Sequence, residues 1–340
     1  MATQITTSFV KQYEANVKLL IQQMGSRLRD KVVLSSGKRG EEVYMDAIGS
    51  TKAQRVTTRY ADSPLILTPH TRRRVTPIDF DWGELVDNPD KLRMIIDPTS
   101  MYAQNAALAM GREIDDLIID AAFGTVSMTT TDGSSATASQ TFTEDNGQTV
   151  AVNHWEDLAG INYQGGTAPF HETSGASTYT KPTSDSGLTI DKLIKTRTLL
   201  AENEADDFDF GGPGGNLFIV CSANQLRKLM NDPRVQSADY NALRALVAGE
   251  VDSFMGFNFI RTELTKTSAQ GVSRLTDSTL DEEVIAFHRA GIGLCVWADM
   301  VTRIEERADK RFSNYLYMSM TMGAVRLEGK RVVKILCDNS

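Results

Sequence analysis

Apolar residues at Phe9, Tyr13, Val17, Leu20, Met24 and Leu28 step by four, four, three, four and four. On a helix this spacing draws one narrow stripe. It predicts a helix over 8–31, an arm that docks on its own core or on a neighbour. Between 40 and 88 the pattern changes. Val43 and Met45 alternate with polar residues, Val56, Thr57 and Thr58 are β-branched, and Pro64, Pro69 and Pro77 interrupt the run. Two strands joined by a basic, proline-bounded turn are predicted, as an edge ribbon or protruding loop, because proline cannot donate to a ladder.

Asp97-Pro98 is a helix start, with Asp as N-cap and Pro in the first turn. Helical periodicity runs from there to Phe123, and Gly124 is placed to stop it. About 26 residues at 1.5 Å each make roughly 39 Å, over twice the usual helix length. Residues 125–187 are rich in Ser, Thr and Gly and read as a loop-rich insertion. From Thr189 the pattern turns regular. A helix (TIDKLIKTRTLLAENE), a buried-type strand (NLFIVC), a helix capped by Ser222, and strands at GFNFIRTEL and EEVIAFH follow. Two long alternating strands, roughly 302–322 and 324–337, close the chain, with Glu328-Gly329 as turn residues.

Composition narrows the class. The chain has 340 residues, 41% hydrophobic, with a net charge of -8. That is room for two domains or one elaborated one, and the overall balance does not suit a nucleic-acid binder. The charge is uneven: residues 1–80 carry a net +6 and the remainder -14. This asymmetry invites contact between identical chains. Cys221, Cys295 and Cys337 all sit in apolar runs without CxxC spacing, so buried free thiols are expected. The N-terminus has no signal-peptide pattern, and no apolar run reaches the ~20 residues of a membrane span.

The clearest candidate for chemistry is the acidic side of the long helix. Glu113, Asp116 and Asp120 recur at helical spacing, opposite the apolar stripe Met110, Ile114, Leu117 and Ala121. Such carboxylates could hold a divalent cation, as in a metal-dependent hydrolase. A hard metal needs oxygens from more than one element, however, and no histidine shares the face. Arg112 offers local pairing to Asp115 and Asp116. The face therefore reads as a solvated or contact surface. His70, His154, His171 and His288 are scattered, and GxSxG, HExxH and GxxxxGK[ST] are absent. The glycine-rich FGGPGGN precedes a strand, the wrong order for a phosphate loop. Neither a cofactor nor catalysis is expected. Arg72, Arg73 and Arg74, with Arg55 and Arg59 nearby, make one positive patch, read as a contact with a neighbouring copy because no aromatic platform is interleaved.

The order of these elements resembles the major capsid proteins of tailed bacteriophages, the Hong Kong ninety-seven type fold. GEVDSFMGFNFI, EEVIAFHRAGIGLCV and YMSMTMGAVRLEGKRVVKIL are similar to that family's axial-domain segment, its strand leading into an Ala/Gly-rich helix, and its closing peripheral-domain strands. The resemblance implies an α+β chain divided into an N-arm (1–39), an E-loop region (40–88), a peripheral-domain spine helix (89–124), the insertion (125–187), a mainly axial (A) domain (188–301) and return strands to the peripheral (P) domain (302–340). It implies a virion protein, assembled in the host bacterial cytoplasm as hexamers and pentamers of an icosahedral shell. Its expected partners are its own copies, scaffolding, portal and decoration proteins, and packaged double-stranded DNA bound without sequence preference, with no membrane. A related encapsulin-type compartment is the alternative within the fold. The candidate contact residues are Arg72, Arg73, Arg74, Arg55, Arg59, Phe9, Tyr13, Glu113, Asp116 and Asp120.

Overall fold

The structure, a computed structural model, describes residues 22–48, 51–58, 70–86, 99–123, 126–131, 143–145, 187–205, 216–231, 253–275 and 282–337, with single positions between 63 and 68. In chain order the elements are β1 (Val33–Ser35), β2 (Val43–Ile48), β3 (His70–Val75), β4 (Ile78–Val86), α1 (Thr99–Phe123), β5 (Val126–Thr131), β6 (Thr143–Asp145), α2 (Ile190–Glu202) and β7 (Leu217–Cys221). After them come α3 (Ala223–Met230), β8 (Ser253–Phe254), β9 (Phe257–Arg261), β10 (Glu282–His288), β11 (Ile292–Arg307), β12 (Ser313–Arg326) and β13 (Val332–Cys337). The strands form three sheets, ordered β1-β11-β12-β4, β13-β10-β7-β9-β8 and β2-β3-β5-β6.

Helix α1, 25 residues long, lies on the first sheet. Its Ala106, Met110, Ile114, Ile118 and Ala122 meet Leu294, Val296, Met318, Met320 and Met322 in the main core. The second sheet closes the same core. Its central strand β7 is buried along its whole length, so it reads as an unbroken apolar run. Phe218 and Val220 face the α1 core, while Leu217, Ile219 and Cys221 face a second core with Leu193, Leu200 and Leu229 of α2 and α3. Both of these helices have side-chain caps, Thr189 to Lys192 N and Ser222 to Gln225 N. The three thiols are free and buried.

The third sheet is a ribbon whose base crosses the outer face of the first. Val43, Met45 and Val75 pack there on Cys295, Trp297, Val325 and Leu327. Two glycines make room. A Cβ on Gly293 would lie 3.1 Å from Met45 Sδ, and one on Gly323 would strike the Thr76 carbonyl.

Several expectations are corrected. Residues 22–28 are not helical; Gly25 has φ +73 and only Arg29–Lys31 makes a 3-10 turn. Arg72, Arg73 and Arg74 lie within strand β3 rather than in a turn, and β3 is interior to its sheet because β5, from the supposed loop insertion, pairs with its other side. The prolines flank the strands rather than interrupt them. The predicted strand over 302–322 is two strands. Ala308–Lys310 form a 3-10 turn, and Arg311 and Phe312 turn left-handed, at φ 55 and 58, with no glycine to announce it. RAGIGLCV holds one 3-10 turn and then enters β11, where a helix was expected. Val332–Cys337 pairs with β10 in the second sheet.

Gly323→Ala tests the crossing. Overpacking against a backbone carbonyl should cost about 1–3 kcal/mol in urea unfolding, whereas Ala at Gly271, with open space around it, tests only its positive φ.

Candidate functional site

The C-terminal half of α1 has almost no solvent face: residues 114–119 are all buried. This corrects the reading of Glu113, Asp116 and Asp120 as one outward polar side. Asp120 is exposed and Glu113 partly buried, but Asp116 is 6% exposed. Asp116 and Asp120 converge on Arg274 from the 263–275 segment. One guanidinium nitrogen bonds Asp116 and the Leu264 carbonyl, and the other reaches Asp120 at 2.5 Å. Ala269 N donates to Asp116 at 3.1 Å. Burial raises the Asp116 carboxyl above its ordinary range, and Arg274 opposes that. Glu113 is raised by burial and then by the neighbouring Asp116.

The residue that sequence reasoning passed over is Asp115, fully buried. It accepts hydrogen bonds from Gln23 Nε2 at 2.5 Å, Ser26 Oγ at 2.5 Å, Arg27 N at 2.9 Å and Leu28 N at 3.0 Å. Burial raises its carboxyl, and these donors pull it back. Arg112, expected to pair with Asp115 or Asp116, instead donates to Gln22 Oε1 at 2.7 Å. The available signal was Gly111, a glycine inside a run of strong helix formers, one turn before Asp115.

The arginine patch is divided by the pleat. Arg72 bonds Asp46 at 2.6 Å and lies over the Tyr44 ring, and Arg74 reaches Glu42 at 3.3 Å. Their hydrogen-bonded partnership holds Asp46 below the usual carboxylate range. Arg73 is directed to the other face and is 9% exposed, so the three do not form one patch. Arg55 is exposed in the 51–58 stretch. Phe9, Tyr13 and Arg59 lie outside the described residues, as do His154 and His171. His288 is buried and caps a turn by accepting from Ala290 N.

Among the described residues, no three His, Cys, Asp or Glu side chains converge where a metal could sit. A polar cavity of about 410 Å³ lies between Asp30, Lys31, Asn216, Phe218, Asn258 and Arg289, and no serine, cysteine or histidine is in its lining. No helix is long and apolar enough to cross a membrane among the described residues. What the surface does offer is apolar side chains on extended segments: Ile48 at 70% exposure, Val56 at 81%, Leu65 at 86% and Phe312 at 61%.

A family model described as phage capsid protein matches residues 5–339. The chain belongs to the phage capsid protein family. Solved capsids share its fold. The cyanophage P-SCSP1u capsid is 15% identical, with a TM-score of 0.63 over 100% of this chain and 96% of that one. Mycobacterium phage Che8 is 15% identical, TM-score 0.58, over 97% of both. The cyanophage Pam1 capsid is 12% identical, TM-score 0.61, over 100% and 98%. No curated protein matches. The fold is the Hong Kong ninety-seven type, and this capsid protein is a shell-forming subunit located in the virion. The compartment and hydrolase readings are not favoured.

Two measurements check the site. Arg274→Ala leaves Asp116 buried without its cation and should cost about 2–4 kcal/mol in urea unfolding, toward the lower side of the range for breaking a buried pair; Asp116→Asn with Arg274→Met should recover most of it. Glu113 has a raised folded pKa, so its stabilising share is complete in acid and is lost as pH rises through that value. Glu113→Gln should therefore raise Tm at about pH 7 and leave it unchanged near pH 3.5.

Proposed function

We propose that this capsid protein is the major shell subunit of a tailed phage, non-enzymatic, assembling with its own copies into hexamers and pentamers of an icosahedral shell around double-stranded DNA in the host cytoplasm. The observation that carries the reading is the pairing of a rigid body with extended, apolar-tipped segments. The loop between β2 and β3 exposes Val56 and Leu65, and the tip of the β11–β12 hairpin exposes Phe312. A connection as long as the one between β2 and β3 is uncommon in a compact domain unless it binds something. Their apolar residues gain burial only against a partner, and head-to-tail contacts between identical chains close into rings.

In this reading α1 with the first sheet forms the P-domain, and the second sheet with α2 and α3 forms the A-domain. The β2–β3 ribbon is the E-loop, and the chain before β1 is the N-arm. Arg72, Arg74, Arg55 and Arg59 contribute to subunit contacts from the ribbon, and Phe9 and Tyr13 from the arm. Glu113 and Asp120 do so from the helix; Asp116 serves inside the subunit. Scaffolding, portal and decoration proteins are further partners. Shell contact with DNA is through phosphate and not base edges.

Negative-stain microscopy of the purified chain, alone or expressed with its scaffolding partner, should show capsomers or closed shells; a strictly monomeric species at high concentration defeats the proposal. Glu at Arg72 and Arg74 together should abolish shells while circular dichroism and Tm of the soluble subunit stay near those of the parent. Normal shells from that variant remove the ribbon from the contact surface.

A further inference from the structure

Gln22–Leu28 forms a strap across α1, and three features hold it in one place. The first is Gly111. A Cβ there would lie 2.7 Å from Gly25 Cα and 2.7 Å from Ser26 N, closer than real Cβ contacts come. Glycine inside a helix costs about 1 kcal/mol relative to alanine, so α1 gives up helical preference at the point where the strap passes. The second is Asp115, one turn further along the same face. Its two oxygens take the Gln23 and Ser26 side chains and the Arg27 and Leu28 amides. No cation is among these partners. The guanidinium of Arg27 bonds the Arg261 carbonyl, and that of Arg112 turns to Gln22. The third is the anchoring of each end. Gln22 donates to Asn105 Oδ1 at 3.0 Å, Gln23 accepts from Thr262 Oγ1 at 3.0 Å, and Leu28 is fully buried in the main core.

Burial of Leu28 alone would keep the strap on the helix but would not choose its register. Directional bonds to two consecutive amides do choose it. The chain bends here, with Gly25 left-handed and Leu28 in the right-handed region, so that two successive amides point at one carboxylate, and a slip of one residue would bring a different pair to it. At Asp115 such a slip would replace the Ser26 hydroxyl by the Arg27 side chain and lose the matched amide pair. The polarity is also set: Gln22 is held at the level of Asn105 and Arg112, and Leu28 beyond Asp115, so the preceding chain starts from the N-terminal half of α1.

We infer that Asp115 is a positioning residue for assembly: by gripping Ser26, Arg27 and Leu28 in one register over Gly111, it fixes the place and direction from which the chain before Gln22 starts, and so the contacts between copies that this part of the subunit can make. This rests on the capsid-subunit reading above. A shell repeats every contact many times, so a variable arm origin is incompatible with uniform curvature.

Asp115→Asn in the full-length chain tests it. The side chain keeps its shape, but the amide nitrogen now faces backbone N–H donors. Three readouts are taken: amide exchange at residues 26–28, Tm of the soluble subunit, and the diameter distribution of assembled particles. Exchange at Arg27 and Leu28 should rise about tenfold or more, equivalent to one or two lost hydrogen bonds. The unfolding transition should stay cooperative, and uniform shells should give way to open or mixed-diameter assemblies. Asp116→Asn, which weakens the buried Arg274 contact on the same helix and touches neither the strap nor an exposed contact residue, should assemble into uniform shells and so separates positioning from stability. Faster exchange with unchanged particles would overturn the positioning role while leaving the capsid reading intact, and unchanged exchange would overturn the grip itself. Failure of the parent chain to form particles would remove both readings together. Should Asp115→Asn not fold, Gln23→Ala with Ser26→Ala removes two donors from the strap side and leaves α1 whole; the same outcomes then decide.

Discussion

The constraint on which the rest of the structure depends is the burial of residues 114–119 of α1 on every side. A helix on a sheet ordinarily keeps one face in water. Here residues 114–119 have none. The sheet carries Met318, Met320 and Met322 beneath it, and the strap and the 263–275 segment cover what remains. Two adjacent carboxylates then fall inside the protein, about 100° apart around the helix. Unpaired, each would be costly. Each is satisfied by a different and distant piece of chain: Asp115 by backbone and neutral side-chain donors, Asp116 by a guanidinium. The helix thereby fastens both an N-terminal and a C-terminal segment of the capsid protein at one level.

The same economy governs the first sheet. Cys295 and Val325 face outward and still lie in a core, because the ribbon base covers them. Gly293 and Gly323 mark that crossing as Gly111 marks the crossing of the strap. Farther along β11 the cover ends, and residues 298–307 are exposed. Strand β11 thus has a body half, packed on both faces, and an exposed half that keeps β12 on one edge. The exposed half carries Arg303, Glu305, Glu306 and Arg307, charges that discourage random edge pairing.

Sequence pattern captured the elements whose signals are local. Thr99–Phe123 was visible from periodicity, Leu217–Cys221 from its apolar run, and Ala223–Met230 from the Ser222 cap. What it missed was set by partners far along the chain. The stripe ending in Met24 and Leu28 suggested a helix, but Gly25 and the donors required by Asp115 hold residues 22–28 in a bent, non-helical path. Three consecutive arginines suggested one patch, yet the period of two in a strand sends Arg73 inward. The Ser/Thr-rich stretch after α1 carried no apolar alternation strong enough to announce β5, which depends on β3 for its pairing. At the acidic face, spacing identified a helix side correctly but could not say what would lie on it, since Arg274 is 158 positions from Asp116.

The short strand β1 has a consequence for the order in which the chain becomes finished. Among the described residues it pairs in parallel with Gly293–Cys295, and Arg29 beside it bonds Asp299. Those partners lie far downstream in the chain. At about 5–20 residues per second, roughly 13–52 s separate synthesis of Val33 from that of Gly293. Once α1 is made, the N-terminal segment has its acceptor there but not yet its strand, and closing so long a loop is slow. A chain truncated before β11 can never seat it. The N-terminal segment is thus seated in two stages, on α1 through Asp115 and then beside β11 through β1.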